Sequence, residues 1–402
     1  MPRALKVILS ILLSLLVIAA LAVGGYFLYL QAHYERIPDN QAVHIEGPVP
    51  ETAELERDTT YTALTYNIGY GAYTPSFSFF MDTGVMADGT KTQGSRGKAV
   101  SEQSVVSATE GAIKVASTAV VPKAEEEAED DAWWSWEESE EEEPATPTSA
   151  DFMLFQEVDT NSDRSYHVDQ KAMIKQAFPG YAAYFAENFH TGFLILPFHD
   201  MHGRSNSGLL TLSSVAADTA MRRSYPIDES IPARFTALDR CFLVLHIPVA
   251  GDGDLVLINH HMSSYDEDGK IRSEQLSMLS AVLTVEREQG NYVIVGGGWS
   301  SALAGSQELY PSQQQVPGWA HAFDEHAVPE GFSMVRADNL EQVPTGRSGD
   351  IPYTAGKSYT VTTDGFLVSD NVHATAENID TGFEYSDHNP VLLSFELLSE
   401  AA

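Results

Sequence analysis

The chain has 402 residues, of which 57 are Asp or Glu and 23 are Lys or Arg, so its formal net charge is −34. Because nucleic acids and anionic lipid surfaces attract basic proteins, this charge argues against a simple electrostatic binder of either. It leaves open an enzyme that meets phosphate through a divalent cation, since the cation supplies positive charge. The length suffices for one large α/β core with appendages.

The N-terminal segment has the pattern of a membrane signal. Arg3 and Lys6 precede a long run without Asp, Glu, Lys or Arg that lasts to His33, and about 20 apolar residues cross the hydrocarbon core as a helix. We predict a cytoplasmic end at residues 1–6 and a single transmembrane anchor at 7–32, with the remainder extracytoplasmic. The alternative is a cleaved signal peptide, whose apolar region is usually about 7–15 residues long and ends in small residues. Both interpretations export the rest of the chain.

The next segment, residues 33–58, is polar and contains three prolines, so we predict a stalk there and a folded domain at 59–398. Cys241 is the only cysteine of the chain and stands in the apolar run CFLVLHIPV. An intramolecular disulfide is therefore excluded, and the pattern predicts an inert buried thiol.

The domain is predicted to contain many strands and few helices. Strands are indicated by β-branched and aromatic runs, which read YTALTYNIGY, DFMLFQEV, GLLTLSS, RCFLVLHIPV, DLVLINHHMSS, NYVIVGGG, DGFLVSD and NPVLLSFEL. Apolar residues at helical spacing, followed by Gly290, predict a helix over IRSEQLSMLSAVLTVEREQ, and weaker patterns predict helices at 99–118 and 167–178. Many strands with few interspersed helices favour stacked sheets flanked by helices over a regular βαβ series.

One segment inside this domain has a different composition. From Ala124 to Glu143 there are twelve acidic residues and three tryptophans, and two prolines follow. Because like charges repel and no apolar period is present, we predict that residues 119–149 are a disordered acidic insertion. The alternative is a tethered interaction motif, in which the tryptophans dock on a basic and apolar partner.

Polar side chains stand where the predicted strands begin or end. These are Asn67, Glu157, Asn259, His261, Ser263, Asp364, Asp387 and His388. Gathered at one edge of packed sheets, such residues form an oxygen-rich cleft that suits Mg²⁺, Mn²⁺ or Ca²⁺, with two histidines that move protons near neutral pH. Taken singly, each of them is more often a structural residue, a turn or a cap.

Their order carries more information. The series TYNI, FQEVD, NHHMS, DGFLVSD and SDHNPV resembles the ordered motifs of the endonuclease/exonuclease/phosphatase superfamily of metal-dependent phosphoesterases, over roughly residues 60–397. SNSGLLTLS around Asn206 and LDRCF around Arg240 resemble a bacterial subgroup of that superfamily. The resemblance implies an α+β fold, a four-layer α/β/β/α sandwich with two packed mixed β-sheets, here preceded by a transmembrane helix. We expect a monomer.

The resemblance also implies a metal site and substrate contacts. Glu157 is expected to bind a divalent metal, Mg²⁺ first and Mn²⁺ or Ca²⁺ as alternatives. Asn67 is expected in the metal shell or on the phosphate, and Asp387 within reach of the metal. Asn259 and Asn206 are expected to bind substrate.

The implied catalytic residues are His261, Asp364 and His388. The two histidines are expected to flank the scissile phosphate, and Asp364 to orient and charge-stabilise His388, while water attacks phosphorus in line. Superfamily members act on lipid head groups, small phosphoesters and nucleic acids, and the fold does not choose among these substrates.

One motif of the family is degenerate in this chain. The family carries Gly-Asp-x-Asn after a strand, and the corresponding segment here reads GGGWSS, with Gly298 at the Asp position and Ser300 at the Asn position. A glycine neither activates water nor holds a metal, and loss of a general base lowers a rate about 10²–10⁴-fold. Two hypotheses therefore stand. The first is an extracytoplasmic hydrolase of phosphoesters, in particular phosphodiesters, with reduced activity. The second is a pseudoenzyme that binds a phosphorylated ligand or a protein partner at the cell surface.

Overall fold

A computed structural model describes residues 2–121, 146–266 and 268–399 of the chain. The helices are α1 (Arg3–His33), α2 (Glu102–Ser117), α3 (Gln170–Ala177), α4 (Ala233–Thr236) and α5 (Lys270–Glu288). The strands are β1 (Gln41–Ala42), β2 (Thr60–Asn67), β3 (Thr83–Val85), β4 (Lys91–Gln93), β5 (Phe152–Asp159), β6 (Ala182–His190), β7 (Asn206–Ser213), β8 (Thr219–Ser224), β9 (Cys241–Pro248), β10 (Asp254–His261), β11 (Tyr292–Gly298), β12 (Phe332–Met334), β13 (Gly346–Arg347), β14 (Thr360–Val361), β15 (Asp364–Ser369), β16 (Val372–Asn378) and β17 (Val391–Leu397).

Two large mixed sheets form the centre of the domain. One has the order β1-β8-β9-β10-β11-β15-β12 and the other β16-β17-β2-β5-β7-β6. Each contains one parallel pair, β10 with β11 and β2 with β5, among antiparallel neighbours. Buried apolar side chains of both sheets pack into one core between them. Since burial of such side chains is the main favourable contribution to folding, this face-to-face contact holds the two sheets together.

The outer face of each sheet is covered by helices. Ala112 and Ala116 of α2 and Ile174 of α3 pack on the β2–β5–β7 sheet, whereas Leu279 and Leu283 of α5 pack on the β9–β10–β11 sheet. The predicted four-layer α/β/β/α sandwich is confirmed.

All eight predicted strands are present, and so are the three predicted helices. Of the strands longer than three residues, the sequence analysis missed β6, β8 and β16. Strands β6 and β16 are rich in alanine and polar residues, which have low strand propensity, so their pairing with neighbours decides their structure.

The segment predicted as a stalk, 33–58, lies against the domain, which corrects that prediction. Strand β1 adds to the edge of β8, Glu46 forms a bridge with Ala183, and Leu55 is fully buried in the core between the sheets. Of the apolar side chains in this polar segment, Ile37 and Leu55 are buried, whereas Ile45 and Val49 stay exposed.

The central part of the predicted acidic insertion, residues 122–145, lies outside the described residues. Its two ends are joined: Val120 and Thr148 exchange two backbone hydrogen bonds of 2.9 and 2.8 Å. Ala119 belongs to the core cluster of the β2–β5–β7 sheet. The insertion therefore leaves and re-enters the domain at one point, within narrower bounds than 119–149.

Helix α1 has 31 residues, a mean hydropathy of 2.9 in its most apolar window and no buried residue. By length and composition it can cross a membrane, and a signal sequence has the same properties.

Candidate active site

The strand directions bring the predicted site residues to one edge of the two sheets. Parallel strands β2 and β5 end at this edge with Asn67 and Glu157, and parallel strands β10 and β11 end there with His261 and Gly298. Strand β15 runs antiparallel to β11 and begins there with Asp364. Strand β17 runs antiparallel to β2, so the segment that precedes it, with Asp387 and His388, arrives at the same place. We call this the site edge.

His388 and Asp364 form a tight pair at the site edge. The distance from Nδ1 of His388 to Oδ2 of Asp364 is 2.7 Å. The carboxylate is positioned in turn, since the Thr363 hydroxyl donates to it at 2.9 Å and the Asp364 amide donates to the Thr345 hydroxyl at 2.9 Å. Burial lowers the pKa of His388, but Asp364 and then Asp387 outweigh it and raise the pKa to about 9. His388 is therefore charged at neutral pH.

His261 and Glu157 form a second, looser pair. Nε2 of His261 lies 3.7 Å from Oε1 of Glu157. Burial, followed by the positive charge of Arg240, lowers the pKa of His261 well below its usual range, so this imidazole is neutral at pH 7. Its Nδ1 is buried and has no hydrogen-bond partner in the described part of the chain. The two histidines thus carry opposite protonation states at one site, which is the arrangement of an acid and a base.

Glu157 occupies a strained turn of its strand. Its φ is +56°, and the register of β5 against β7 shifts between Phe155 and Val158, as at a β-bulge. A glutamate in the left-handed region costs free energy, and such outliers gather at functional sites. The bulge turns the Glu157 carboxylate into a buried environment beside Asp387, and burial and Asp387 raise its pKa to about 7.

Asn67 connects the end of β2 to the segment that carries Asp387. Its Oδ1 accepts from the Gly69 amide at 3.0 Å and its carbonyl accepts from the Ser386 hydroxyl at 2.8 Å. Gly69 has φ +53°, and a Cβ there would lie 2.8 Å from Oδ1 of Asp387, so the close approach requires glycine. Nδ2 of Asn67 is buried without a hydrogen-bond partner among the described residues. A free buried donor suits a phosphate oxygen.

The donor set fits a hard cation of the magnesium type. The described residues contain no group of three or more His, Cys, Asp or Glu side chains that could hold a metal. Mg²⁺, however, usually binds through one or two carboxylates, with water and substrate phosphate oxygens as its other ligands. Glu157 and Asp387 are two carboxylates close enough for one to raise the pKa of the other, and a cation beside them would relieve that repulsion.

Gly298 lies at the centre of the site edge, between His261 on one neighbouring strand and Asp364 on the other. A Cβ at this position would stand 3.2 Å from Cδ2 of His261 and 3.4 Å from Oδ1 of Asp364. That Asp364 oxygen is buried with no hydrogen-bond partner among the residues described. A side chain at position 298 would therefore face both His261 and Asp364, and the backbone there does not adopt a positive φ.

Ser300 turns away from this centre. Its hydroxyl donates to the Met262 carbonyl at 3.0 Å and lies 3.3 Å from the Ser264 hydroxyl. Its φ is +51°, a conformation that asparagine adopts more readily than most residues. An asparagine would therefore fit the backbone conformation at position 300.

Asn259 does not lie in the cleft. It is fully buried, and its amide bonds the carbonyls of Phe155 and Leu210 and the Thr211 hydroxyl, while its Oδ1 accepts from Gln156. These partners belong to the opposite sheet, so Asn259 joins the sheets and has no free group for a substrate. Its expected role in substrate binding is not supported by these contacts.

Asn206 begins β7 near the site edge. Its backbone amide donates to the Ser162 hydroxyl at 2.8 Å. The next residue, Ser207, pairs with Asp159, which lies two residues beyond Glu157. It remains a candidate for substrate contact.

Three polar residues of the site had no assigned role in the sequence analysis. Arg240 is buried, acts on the pKa of both Glu157 and His261, and has an Nη1 without a hydrogen-bond partner among described residues. The Tyr265 hydroxyl donates to Asp82 at 2.7 Å, and burial raises the pKa of Asp82 to about 7. Asp82 stands in a segment without strand or helix pattern, so only its contact across the fold reveals it.

Comparison with protein-family models and with curated proteins finds no match for this chain. Solved structures do match. An endonuclease/exonuclease/phosphatase from Beutenbergia cavernae is 15% identical with a TM-score of 0.50, over 85% of this chain and 72% of that one. TDP2 from Caenorhabditis elegans is 14% identical with a TM-score of 0.46, over 85% of this chain and 98% of that one.

A further match is an endonuclease/exonuclease/phosphatase family protein from Leptotrichia buccalis, 12% identical with a TM-score of 0.47, over 84% of this chain and 99% of that one. At sequence identities this low, the similarity concerns the fold alone. It rests on the Beutenbergia cavernae structure, whose TM-score is 0.50. Two packed mixed sheets, outer helices and the order of motifs agree with it. The chain has the fold of the endonuclease/exonuclease/phosphatase superfamily.

Proposed function

We propose that the protein is a membrane-anchored, extracytoplasmic hydrolase of phosphoesters, in particular phosphodiesters, that depends on a divalent metal. The observation that carries the proposal is the meeting of two pairs at one edge, His388 with Asp364 at 2.7 Å and His261 with Glu157 at 3.7 Å. Two of these four ionisable groups, His261 and Asp364, are buried and the other two are half-buried, and perturbed ionisable groups gathered in this way are typical of functional sites.

Each side chain then has a chemical task. Neutral His261 accepts a proton from the attacking water, whose oxygen forms a bond to phosphorus. Charged His388 donates a proton to the leaving oxygen as its bond to phosphorus breaks, and Asp364 holds the ring in place. Nδ2 of Asn67 donates to a phosphate oxygen. A divalent metal, Mg²⁺ in the first place, would be held by Glu157 and Asp387 and would stabilise negative charge on phosphate oxygens.

The second candidate is a pseudoenzyme that binds a phosphorylated ligand or a protein partner. One observation favours it: position 298, between His261 and Asp364, has no side chain. A pocket that keeps Asn67, Arg240 and His388 retains donors and positive charge for a phosphate, even where the rate has fallen. The same observation supports reduced activity under the first proposal.

The substrate classes are a lipid head group, a small phosphoester and a nucleic acid. The net charge of −34 disfavours a duplex, whose binding rests on contacts between basic residues and phosphates.

Hydrolysis assays on the full chain in detergent separate the two candidates. The panel is bis-p-nitrophenyl phosphate, p-nitrophenyl phosphate, sphingomyelin and DNA, each with and without Mg²⁺, Mn²⁺ and Ca²⁺. We expect metal-dependent hydrolysis of a diester, a loss of about 10²-fold or more in Glu157→Ala, and no loss in Glu288→Ala, an exposed residue at the end of α5. Hydrolysis that survives Glu157→Ala contradicts the proposed site. If the wild type hydrolyses no substrate of the panel while inorganic phosphate still raises its Tm, the result supports the pseudoenzyme.

A further inference from the structure

Helix α1 is attached to the domain by specific contacts near its C-terminal end. The Tyr26 hydroxyl donates to the Phe193 carbonyl at 3.1 Å and the Phe193 amide donates to the Tyr29 hydroxyl at 2.9 Å. The ring of Phe27 packs edge-on against Phe235 of α4, with 5.7 Å between centroids. The helix is therefore not a free tether, because its last turns fix the domain relative to the helix axis.

Both contact regions belong to the site edge. The first is the loop at 191–205, which joins the end of β6 to the start of β7; this end of β7 lies beside the end of β5, where Ser207 pairs with Asp159. The second is the loop at 225–240, which joins β8 to β9 and ends at Arg240 of the site. The anchor thus meets the domain at the edge that carries the site, on both sheets.

The length of the helix places this contact at the membrane boundary. From Val7 to Tyr26 there are about 20 residues, which at ~1.5 Å each span ~30 Å, the thickness of the hydrocarbon core. Tyr26 and Tyr29 then stand at the outer interface, where tyrosine is enriched. The loop bonded to them must lie at the level of the head groups.

Large apolar side chains are exposed at that level. Leu196 is 51% exposed, Phe198 70% and Ile231 57%, and Met201 is exposed as well. Single exposed apolar residues are common, but these four come from the two loops that contact α1. We call them the loop surface. Exposed apolar groups beside a membrane anchor are what an interfacial contact requires.

We propose that the loop surface inserts into the outer interface of the bilayer that α1 crosses, so that the site edge faces the lipid. The inference rests on the proposed membrane anchor and is independent of catalysis. Because the chain is strongly acidic, the contact is apolar, and neither anionic lipid nor low salt should strengthen it. The loop surface therefore contacts the lipid at the boundary between the head groups and the hydrocarbon core of the membrane that α1 crosses.

Fluorescence of the full chain in phosphatidylcholine nanodiscs tests the contact. Phe198→Cys is labelled with an environment-sensitive dye; native Cys241 is fully buried, and burial raises the pKa of its thiol to about 11, so it stays unlabelled. The matched control is Asp252→Cys, on the exposed β9–β10 turn at the opposite end of the sheets. We expect a blue-shifted emission and at least about twofold stronger quenching by lipids with a shallow nitroxide for residue 198 than for residue 252.

Equal quenching at the two positions overturns the inference, and so does quenching that appears only in discs carrying two copies, which would make the loop surface a dimer interface. Ile231→Cys gives a second reading from the other loop, so a local disturbance at residue 198 cannot decide the result. Extraction by alkaline carbonate separates failure of the anchor from failure of the contact. A chain that resists extraction but shows no quenching contradicts the inference alone.

Discussion

Position 298 decides how the site is interpreted at the scale of residues. The strand pairing places it between His261 and Asp364. A Cβ there would lie 3.4 Å from Oδ1 of Asp364, which is buried and lacks a hydrogen-bond partner among the described residues. Unsatisfied buried polar atoms are costly.

Restoring the family residues should therefore restore chemistry. We predict that Gly298→Asp with Ser300→Asn raises metal-dependent diester hydrolysis by at least about tenfold, below the full general-base contribution of about 10²–10⁴. The backbone at 298 does not have a positive φ, and that at 300, with φ +51°, tolerates asparagine. The closest contact of a new Cβ is 3.2 Å, to His261, so a small shift of that ring is needed.

The matched control is Gly298→Ala with Ser300→Asn, which adds the same Cβ without the carboxylate. Initial rates and a melting curve are measured for both variants. A gain in the alanine control as large as in the aspartate variant would refute the assigned role of the carboxylate.

The Asp364–His388 pair gives a prediction that can be tested without measuring catalytic activity. In Asp364→Asn the largest raising effect on the pKa of His388, which is about 9 in the wild type, is removed, while burial still lowers it. We expect the pKa of His388 to fall by more than one unit, so that the ring loses its proton near neutral pH. NMR titration of the ring protons in metal-free protein measures this. A pKa that stays near 9 would mean that Asp387 alone holds the charge.

At the scale of elements, one pair of backbone hydrogen bonds joins the two flanks of the acidic insertion where it leaves and re-enters the sandwich. Val120 and Thr148 close its base, as a hairpin does, while α2 before it and β5 after it contribute to the same core cluster. Because Val120 and Thr148 lie side by side, a short turn can join the two flanks.

We predict that replacing residues 124–145 by a short Gly-Ser turn shifts the Tm by less than about 3 °C, because the backbone on either side is already joined at Val120 and Thr148. A deletion of 119–149 should be more harmful, because Ala119 packs in the core. Thermal unfolding in detergent compares the two deletions. A large loss of stability in the shorter deletion would indicate that the tryptophans pack on the domain.

At the scale of the whole molecule, helix α1 and the candidate site lie at the same end of the sandwich. Helix α1 is bonded to the loop at 191–205 through Tyr26 and Tyr29, and the Arg36 guanidinium bonds the Tyr225 carbonyl at 2.9 Å. With much of 33–58 packed on the sheets, little free chain remains between α1 and the domain. If α1 crosses a membrane as proposed, we expect the domain to sit close to it in a fixed orientation.

This arrangement requires that α1 is retained. We predict that the mature protein keeps residues 7–32, because Tyr26, Tyr29 and Phe27 make contacts that a cleaved chain would lose. Mass spectrometry of the purified membrane protein finds the N-terminus. An N-terminus within residues 20–40 would replace the anchor with a signal peptide and expose the loop surface to solvent.

The sequence by itself determined the local features. Eight strands, three helices, the apolar N-terminal helix and the positions of Asn67, Glu157, His261, Asp364, Asp387 and His388 at strand ends were predicted, because periodicity and strand boundaries are properties of neighbouring residues. The motif order then predicted the fold, which the structure confirms. The alanine-rich strands β6 and β16 were not predicted, because their residues have low strand propensity and only their pairing with neighbouring strands makes them strands.

Only the tertiary structure decided which side chains meet. Tyr265 donates a hydrogen bond to Asp82, which lies 183 residues away in the chain. The side-chain amide of Asn259 donates hydrogen bonds to carbonyls of the opposite sheet, and Leu55 of the predicted stalk packs in the core. The same holds for the anchor at the site edge. Such contacts join segments far apart in the chain, and their free energy depends on burial and partners that exist only when both sheets are packed, so no local pattern records them.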